Sequence, residues 1–194
     1  MTMIHRIISY WVYGGFLAAF LLLGLMPVCC RSWSLPLIFV FLQLPVYMLH
    51  QLEEHDDDRF RNWVNRVLGG GRELLSKTAV FVINVPGVWG VNLVSLLLAA
   101  TLDLGFGLIG IYLTIVNGIV HVAQAIRMKG YNPGLITAIL LFLPVGGVAL
   151  WTIHAARTIS PAYDLLGFGT AIAIHLAIVA HVVIRMRRAP NFQS

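Results

Sequence analysis

Six stretches of about twenty mostly apolar residues dominate this chain, at about 7–28, 34–54, 79–100, 105–126, 133–156 and 164–184. Each is long enough to cross the roughly 30 Å hydrocarbon core of a bilayer as an α-helix. A backbone in lipid must satisfy its own hydrogen bonds, so the fold is restricted to helices or a closed barrel, and runs of this length select helices. Only 11% of the 194 residues are charged and 59% are hydrophobic, too little polar surface for a soluble domain, where charged residues make up about 25%. The fold class that follows is all-α: a polytopic membrane bundle of six transmembrane helices in a single domain. The first stretch runs past the usual h-region of roughly 7–15 residues, and "LMPVCC" lacks the small residue of a cleavage site, so it reads as a retained span. Cys29 and Cys30 are adjacent and form no CxxC pair, so neither a disulfide framework nor a zinc knuckle is expected.

Charge orients the bundle. The N-terminal tail, the connector 55–78, the connector holding Arg127 and Lys129, and the C-terminal end carry 11 of the 13 lysines and arginines; the opposite side has only Arg31 and Arg157. By the positive-inside rule both termini are expected in the cytoplasm. The net charge of +5 is thereby accounted for by topology, and no nucleic-acid partner is expected. Within the long connector, Phe60, Trp63, Val64, Val67 and Leu68 recur at helical spacing with polar residues between them, which predicts a short interfacial helix over about 59–68. Gly69 to Gly71 read as a hinge, because no Gly-Lys-Ser/Thr follows to make a phosphate loop.

Ionisable groups inside spans are costly and face a partner or a water-filled cavity. His50 lies six residues before Asp56, and His121 six before Arg127, so each is about 9 Å inside the same boundary. Asn84 enters from that side to a similar depth, Asn117 is one helical turn from His121, and His175 and His181 approach from the sixth span. Asn132 opens the fifth. His154 sits at the far end and falls outside the group. On one helix, His50, Glu53 and Glu54 stand at i, i+3 and i+4, a shared face. Imidazole and carboxylate together suit Zn²⁺, Fe²⁺ or Mn²⁺, and helix bundles commonly build metal sites from such residues. Two arrangements are open: two metals sharing the carboxylates, or one metal on His50, Glu54 and His121 with Glu53 as general acid/base, and His175 or His181 completing the shell. The second is similar to the His-x-x-Glu-His pattern of zinc hydrolases, with Glu54 in place of its second histidine. His55 and Asp56 to Asp58 are expected to be a solvated helix end. Pro133 reads as a first helical residue, and Pro36, Pro45 and Pro86 as kinks.

The chain resembles the HXXEE-domain membrane proteins, through His50-Gln51-Leu52-Glu53-Glu54, "NGIVH" at 117–121 and "YNPGLITAILLFLP" at 131–144. The resemblance implies a multispan protein of suspected enzymatic activity and supports the motif residues as a unit, without supplying a reaction. The functional expectation is a metal-dependent membrane enzyme, with one or two zinc or iron ions, acting on a lipid or other hydrophobic substrate by hydrolysis or oxidation. The alternatives are a proton- or metal-coupled transporter using His50, Glu53 and Glu54 as a relay, and a haem protein with His121 and His175 or His181 as axial ligands.

Overall fold

A computed structural model describes residues 2–156 and 158–188; Arg157, one of the two basic residues on the sparsely charged side, lies outside them. The described chain is helical, with no strand, and contains six helices long and apolar enough to cross a membrane. The first is α1 (Met3–Cys29) and the second α2 (Leu35–His55). A tight turn of three aspartates leads into the short α3 (Arg59–Val67). The third span joins α4 (Lys77–Val82), a π-helical segment Ile83–Trp89 and α5 (Gly90–Thr101). The fourth is α6 (Leu108–Met128), preceded by a 3₁₀ turn Leu104–Gly107. The fifth runs through α7 (Leu135–Thr137), a second π segment Ala138–Phe142 and α8 (Leu143–Ala156), and the sixth is α9 (Pro161–Arg188).

The second and fourth spans form the centre. About half of each is buried (56% and 50%), against 17% for the first and 11% for the sixth. The outer helices therefore present Leu17, Phe20, Leu21 and Leu25, or Leu165, Leu176 and Val179, to their surroundings, as lipid-facing surfaces do. Glycines let the inner helices close in: a Cβ at Gly110 would lie 2.9 Å from the Asn92 side-chain oxygen, the close approach that small residues permit in membranes.

Two of the prolines, Pro36 and Pro133, stand elsewhere than expected. Pro36 occupies the first turn of α2, where a missing N–H costs nothing. Pro45 is buried inside an α2 that continues past it. Pro86 sits within the π segment, where the widened turn accommodates the ring. Pro133 precedes α7, whose N-terminal neighbour is Gly134 in a left-handed conformation (φ 96°), so it belongs to the turn and not to the helix.

The long connector is a built cap. Asn65 receives the backbone N–H groups of Leu74 (2.8 Å) and Leu75 (2.9 Å) and donates to the Leu75 carbonyl (3.0 Å). Gly70 and Gly71, both at positive φ, turn the chain back so that this clamp can close. Instead of a hinge, the glycines form a tied turn. Leu74 and Leu75 are buried with Val64 and Val80, and Trp11, Phe60, Trp63, Val182 and Met186 pack around them. The face of α3 predicted to meet the membrane is thus divided: Val64 packs under the cap, while Val67 and Leu68 are exposed. Asp58 anchors the turn to Lys77 (2.8 Å) and Arg61 (3.3 Å).

Candidate metal centre

The last turns of α2 point their polar side chains in three directions. His50 and Glu54, one helical turn apart, face α6 and His121. Gln51 and His55, displaced by one residue, face the third span and Trp11. Glu53 faces the start of the fifth span, which His50 also touches through Thr137. The sequence places Glu53 and Glu54 on one face; packing separates them.

His50 Nε2 lies 3.5 Å from one Glu54 oxygen, and His121 Nε2 lies 3.7 Å from the other. His50, Glu54 and His121 are all buried, and their ligand atoms lie within 4.8 Å of one another. These separations exceed a hydrogen bond of about 2.9 Å. They match the roughly 3.4 Å expected between neighbouring ligands of a tetrahedral ion held at about 2.1 Å. His50 Nε2 is buried without a hydrogen-bond partner, an orphan that a bound ion would satisfy. This group can hold a metal ion.

The hydrogen bonds behind the histidines fix which ring nitrogen is free. Glu53 accepts from the Tyr131 hydroxyl (2.8 Å), the N–H of Ile136 (3.1 Å), and the N–H (2.7 Å) and hydroxyl (2.5 Å) of Thr137. Four donors converge on it, so it is an ionised carboxylate satisfying the unpaired N–H groups at the start of the fifth span. Having given its proton to Glu53, the Thr137 hydroxyl accepts from His50 Nδ1, 2.8 Å away. The His50 tautomer therefore carries its proton on Nδ1 and turns the Nε2 lone pair toward Glu54. His121 is set in the same way. Asn132 donates its amide to the His121 carbonyl (2.9 Å), which leaves its oxygen to accept from His121 Nδ1 (2.7 Å). Metal-binding histidines characteristically have their remote nitrogen held like this. Partial burial and the bond to Glu53 push the Tyr131 hydroxyl up to about 12, so it stays a neutral donor.

Gly134 closes the arrangement. A Cβ there would lie 2.7 Å from His121 Cε1 and 2.8 Å from His50 Cε1; only glycine lets the turn press on both rings. From the other side, Phe142 lies 4.0 Å from the His50 ring, centre to centre. Residues 41–149, more than half of the chain, match the family described as proteins of unknown function with HXXEE motif. The chain belongs to the HXXEE family. No curated protein and no solved structure matches it. The family's motif letters fall on His50, Glu53 and Glu54, and the matched segment also contains His121, Tyr131, Asn132, Gly134 and Thr137.

In this HXXEE protein the other expected site residues take different places. His175 lines a cavity of about 130 Å³ together with Glu54, Asn84, Asn117 and His121. Its Nδ1 donates to the Ala171 carbonyl (2.8 Å), which again leaves Nε2 as the free nitrogen. Asn84 is buried and accepts from Gln51 (2.9 Å), whose own oxygen accepts from the Trp89 indole (2.6 Å). His181 is exposed, on an outer groove between the third and sixth spans. His154 pairs with Asp164 (3.1 Å), apart from the centre.

His55 corrects the expected solvated helix end. It is buried against Trp11 and Phe60, with Nε2 3.1 Å from Glu54. Only the aspartates after it are partly open to water, and Asp56 holds Tyr13 (2.9 Å) and Arg59 (2.5 Å). Sequence reasoning passed over Thr137, Gln51 and Gln124. Thr137 stands five residues after Asn132 inside the conspicuous "YNPGLIT", and Gln51 is a polar residue inside the motif itself. Both signals were available, but neither residue type is a metal ligand. Gln124, one turn from His121 toward the connector, lines the cavity with a buried and unpaired side-chain oxygen.

Proposed function

We propose that this HXXEE protein is a metal-dependent membrane enzyme acting on a lipid or other hydrophobic substrate, with one divalent ion, zinc or iron, on His50, Glu54 and His121. The observation that carries the reading is the convergence of two imidazole Nε2 lone pairs on one buried carboxylate, each imidazole fixed from behind. Two histidines and a carboxylate are the protein ligands of zinc hydrolases and of non-haem iron oxygenases. When bound, the ion would supply Lewis acidity and an activated water, or a site for oxygen chemistry.

The protein's own groups divide the remaining work. Both Glu53 oxygens are occupied in accepting from Tyr131, Ile136 and Thr137, so its role is to position His50 and not to shuttle protons. His175 and His55 flank the cavity beside Glu54 and are the groups placed to contact a substrate head. A single ion suits the geometry better than two, because Glu53 faces away from Glu54. The carrier alternative gains little support: Asn92, Thr114 and Thr152, farther along the spans, donate to carbonyls of their own helices, so no polar path continues. A cavity of about 130 Å³ is also too small for a haem. The 11-to-2 distribution of basic residues supports cytoplasmic termini, which puts the centre in the inner-leaflet half.

Elemental analysis after purification without chelators tests the centre. The expected result is about one zinc or iron per chain, lost in His50→Ala and His121→Ala; wild-type content equal to buffer would overturn the proposal. Orientation is read separately. In intact cells an impermeant maleimide should label exposed Cys29 and fail to label a cysteine placed at Ser194 in a Cys29→Ser background. The reverse pattern inverts the topology.

A further inference from the structure

The cavity beside the centre has a mixed lining. Glu54, Asn84, His121 and His175 supply polar groups, and the same spans supply apolar side chains such as Val80, Leu113 and Ile178. Gln124 Oε1 and His55 Nδ1 are buried there without hydrogen-bond partners, while His55 Nε2 is turned to Glu54, 3.1 Å away. A purely apolar ligand would leave the unpaired atoms unsatisfied, and a purely polar one would leave the apolar side chains without contacts.

A second depression, of about 220 Å³, lies on the outside of the bundle and is lined by Ala79, Val82, Ile83, Ala177, Ile178 and His181. Ile83 and Ile178 line both spaces. These two side chains, one from the third span and one from the sixth, therefore stand between the cavity and the outer surface, with the exposed Val179 lining the cavity beside them. Nearer the connector, Val182 and Met186 of α9 pack on the cap, which seals the seam above this level.

We infer that Ile83 and Ile178 form a lateral portal through which an amphiphile with one slender, unbranched hydrocarbon chain enters, its small polar head reaching the centre. This rests on the proposed function and narrows its substrate class. Size decides the class. A cavity of about 130 Å³ compares with the 150 Å³ apolar cavity that admits a benzene. It holds a small head and a short length of chain, with the remainder of the chain lying in the groove and the bilayer. A two-chain phospholipid or a fused-ring sterol would not pass between two isoleucines.

The test uses the full chain in nanodiscs of phosphatidylcholine, with a sixteen-carbon fatty alcohol bearing a diazirine near its hydroxyl end as probe. Photolysis and peptide mass spectrometry should place cross-links on interior residues Leu113, Asn117 and Ile174. Ile178→Trp should abolish the interior cross-links and Ile178→Ala should retain them, while Ile139→Trp, on an exposed position of the fifth span, should change nothing. A two-chain phosphatidylcholine diazirine should label only outer residues. Absence of interior labelling in the wild type, its persistence in Ile178→Trp, or equal interior labelling by the two-chain probe each overturns the portal. Metal content measured on the same samples keeps the two readings apart: interior labelling that responds to Ile178→Trp in a metal-free protein would sustain the portal and remove the metal centre.

Discussion

The two ends of the bundle use buried polar residues in opposite ways. Away from the connector, Gln43 and Asn92 donate to Phe39 and Val88 carbonyls four residues back, and Thr114 to Gly110 in the same manner. Ser95 donates to Phe106 at the start of the neighbouring span (2.9 Å) and accepts from the Gly110 N–H (3.0 Å). These side chains lean on backbone of their own helix or the next, with the Gln43 and Asn92 amide oxygens left buried and unpaired. At the connector end the bonds run from side chain to side chain across helices: Glu53 to Thr137 to His50, and Asn132 to His121. Each chain there ends on an imidazole whose Nε2 faces Glu54, at 3.5 Å for His50 and 3.7 Å for His121. The His154–Asp164–Tyr112 group at the far rim also crosses helices, but both His154 and Asp164 reach the surface and no buried lone pair is left over. The difference lies in the atoms brought together: isolated amide oxygens at one end, and at the other two imidazoles and a carboxylate that could hold a metal ion.

The sharpest break of that contrast is ligand removal. His50→Ala or His121→Ala should reduce metal content to background by elemental analysis, while Asn92→Ala and Thr114→Ala should leave it at the wild-type value. Equal losses in all four would mean that metal content follows fold integrity and not the centre.

The two motif glutamates should separate next. Glu54→Gln exchanges a charged ligand for a neutral one and should cost most of the affinity. Glu53→Gln keeps the shape but weakens the hold on Thr137 and the fifth span, and should lower affinity by about 10–100-fold, the usual effect of losing a group behind a ligand. Asn132→Ala should fall in the same range. Competition against a fluorescent zinc chelator measures all three. Retention of full affinity in Glu54→Gln with loss in Glu53→Gln would exchange their roles.

Gly134→Ala tests the turn between the two rings. The left-handed backbone costs a non-glycine residue about 1–3 kcal/mol, and the added carbon meets both imidazoles. The expected outcome is a lower thermal midpoint in detergent together with a metal affinity weakened by about tenfold or more. The smallest effect belongs to the other end: Thr114→Val should change stability by about 0.6 kcal/mol and leave metal binding untouched.

Much of this centre was legible before any coordinates. Equal depth of His50 and His121, with a carboxylate one turn from His50, was enough to nominate His50, Glu54 and His121, because helical rise and the membrane boundary are fixed lengths. His175 also fell at the right depth and lines the cavity. His181 did not, since depth says nothing about which side of α9 faces inward. The same blindness hid His55: it stands next to three aspartates, and only the fold of the connector over it and the approach of Trp11 remove it from water.

Hydrophobic length and charge, both local properties, determined six helices and the end of the bundle at which the polar groups gather. Rotation of each helix about its axis, and the contacts that follow, were decided only by packing. That is why Glu53 and Glu54, adjacent in the chain and equal in chemistry, part company. About 100° of helical turn sends one carboxylate to the N–H groups of the fifth span and the other to the open nitrogens of two histidines.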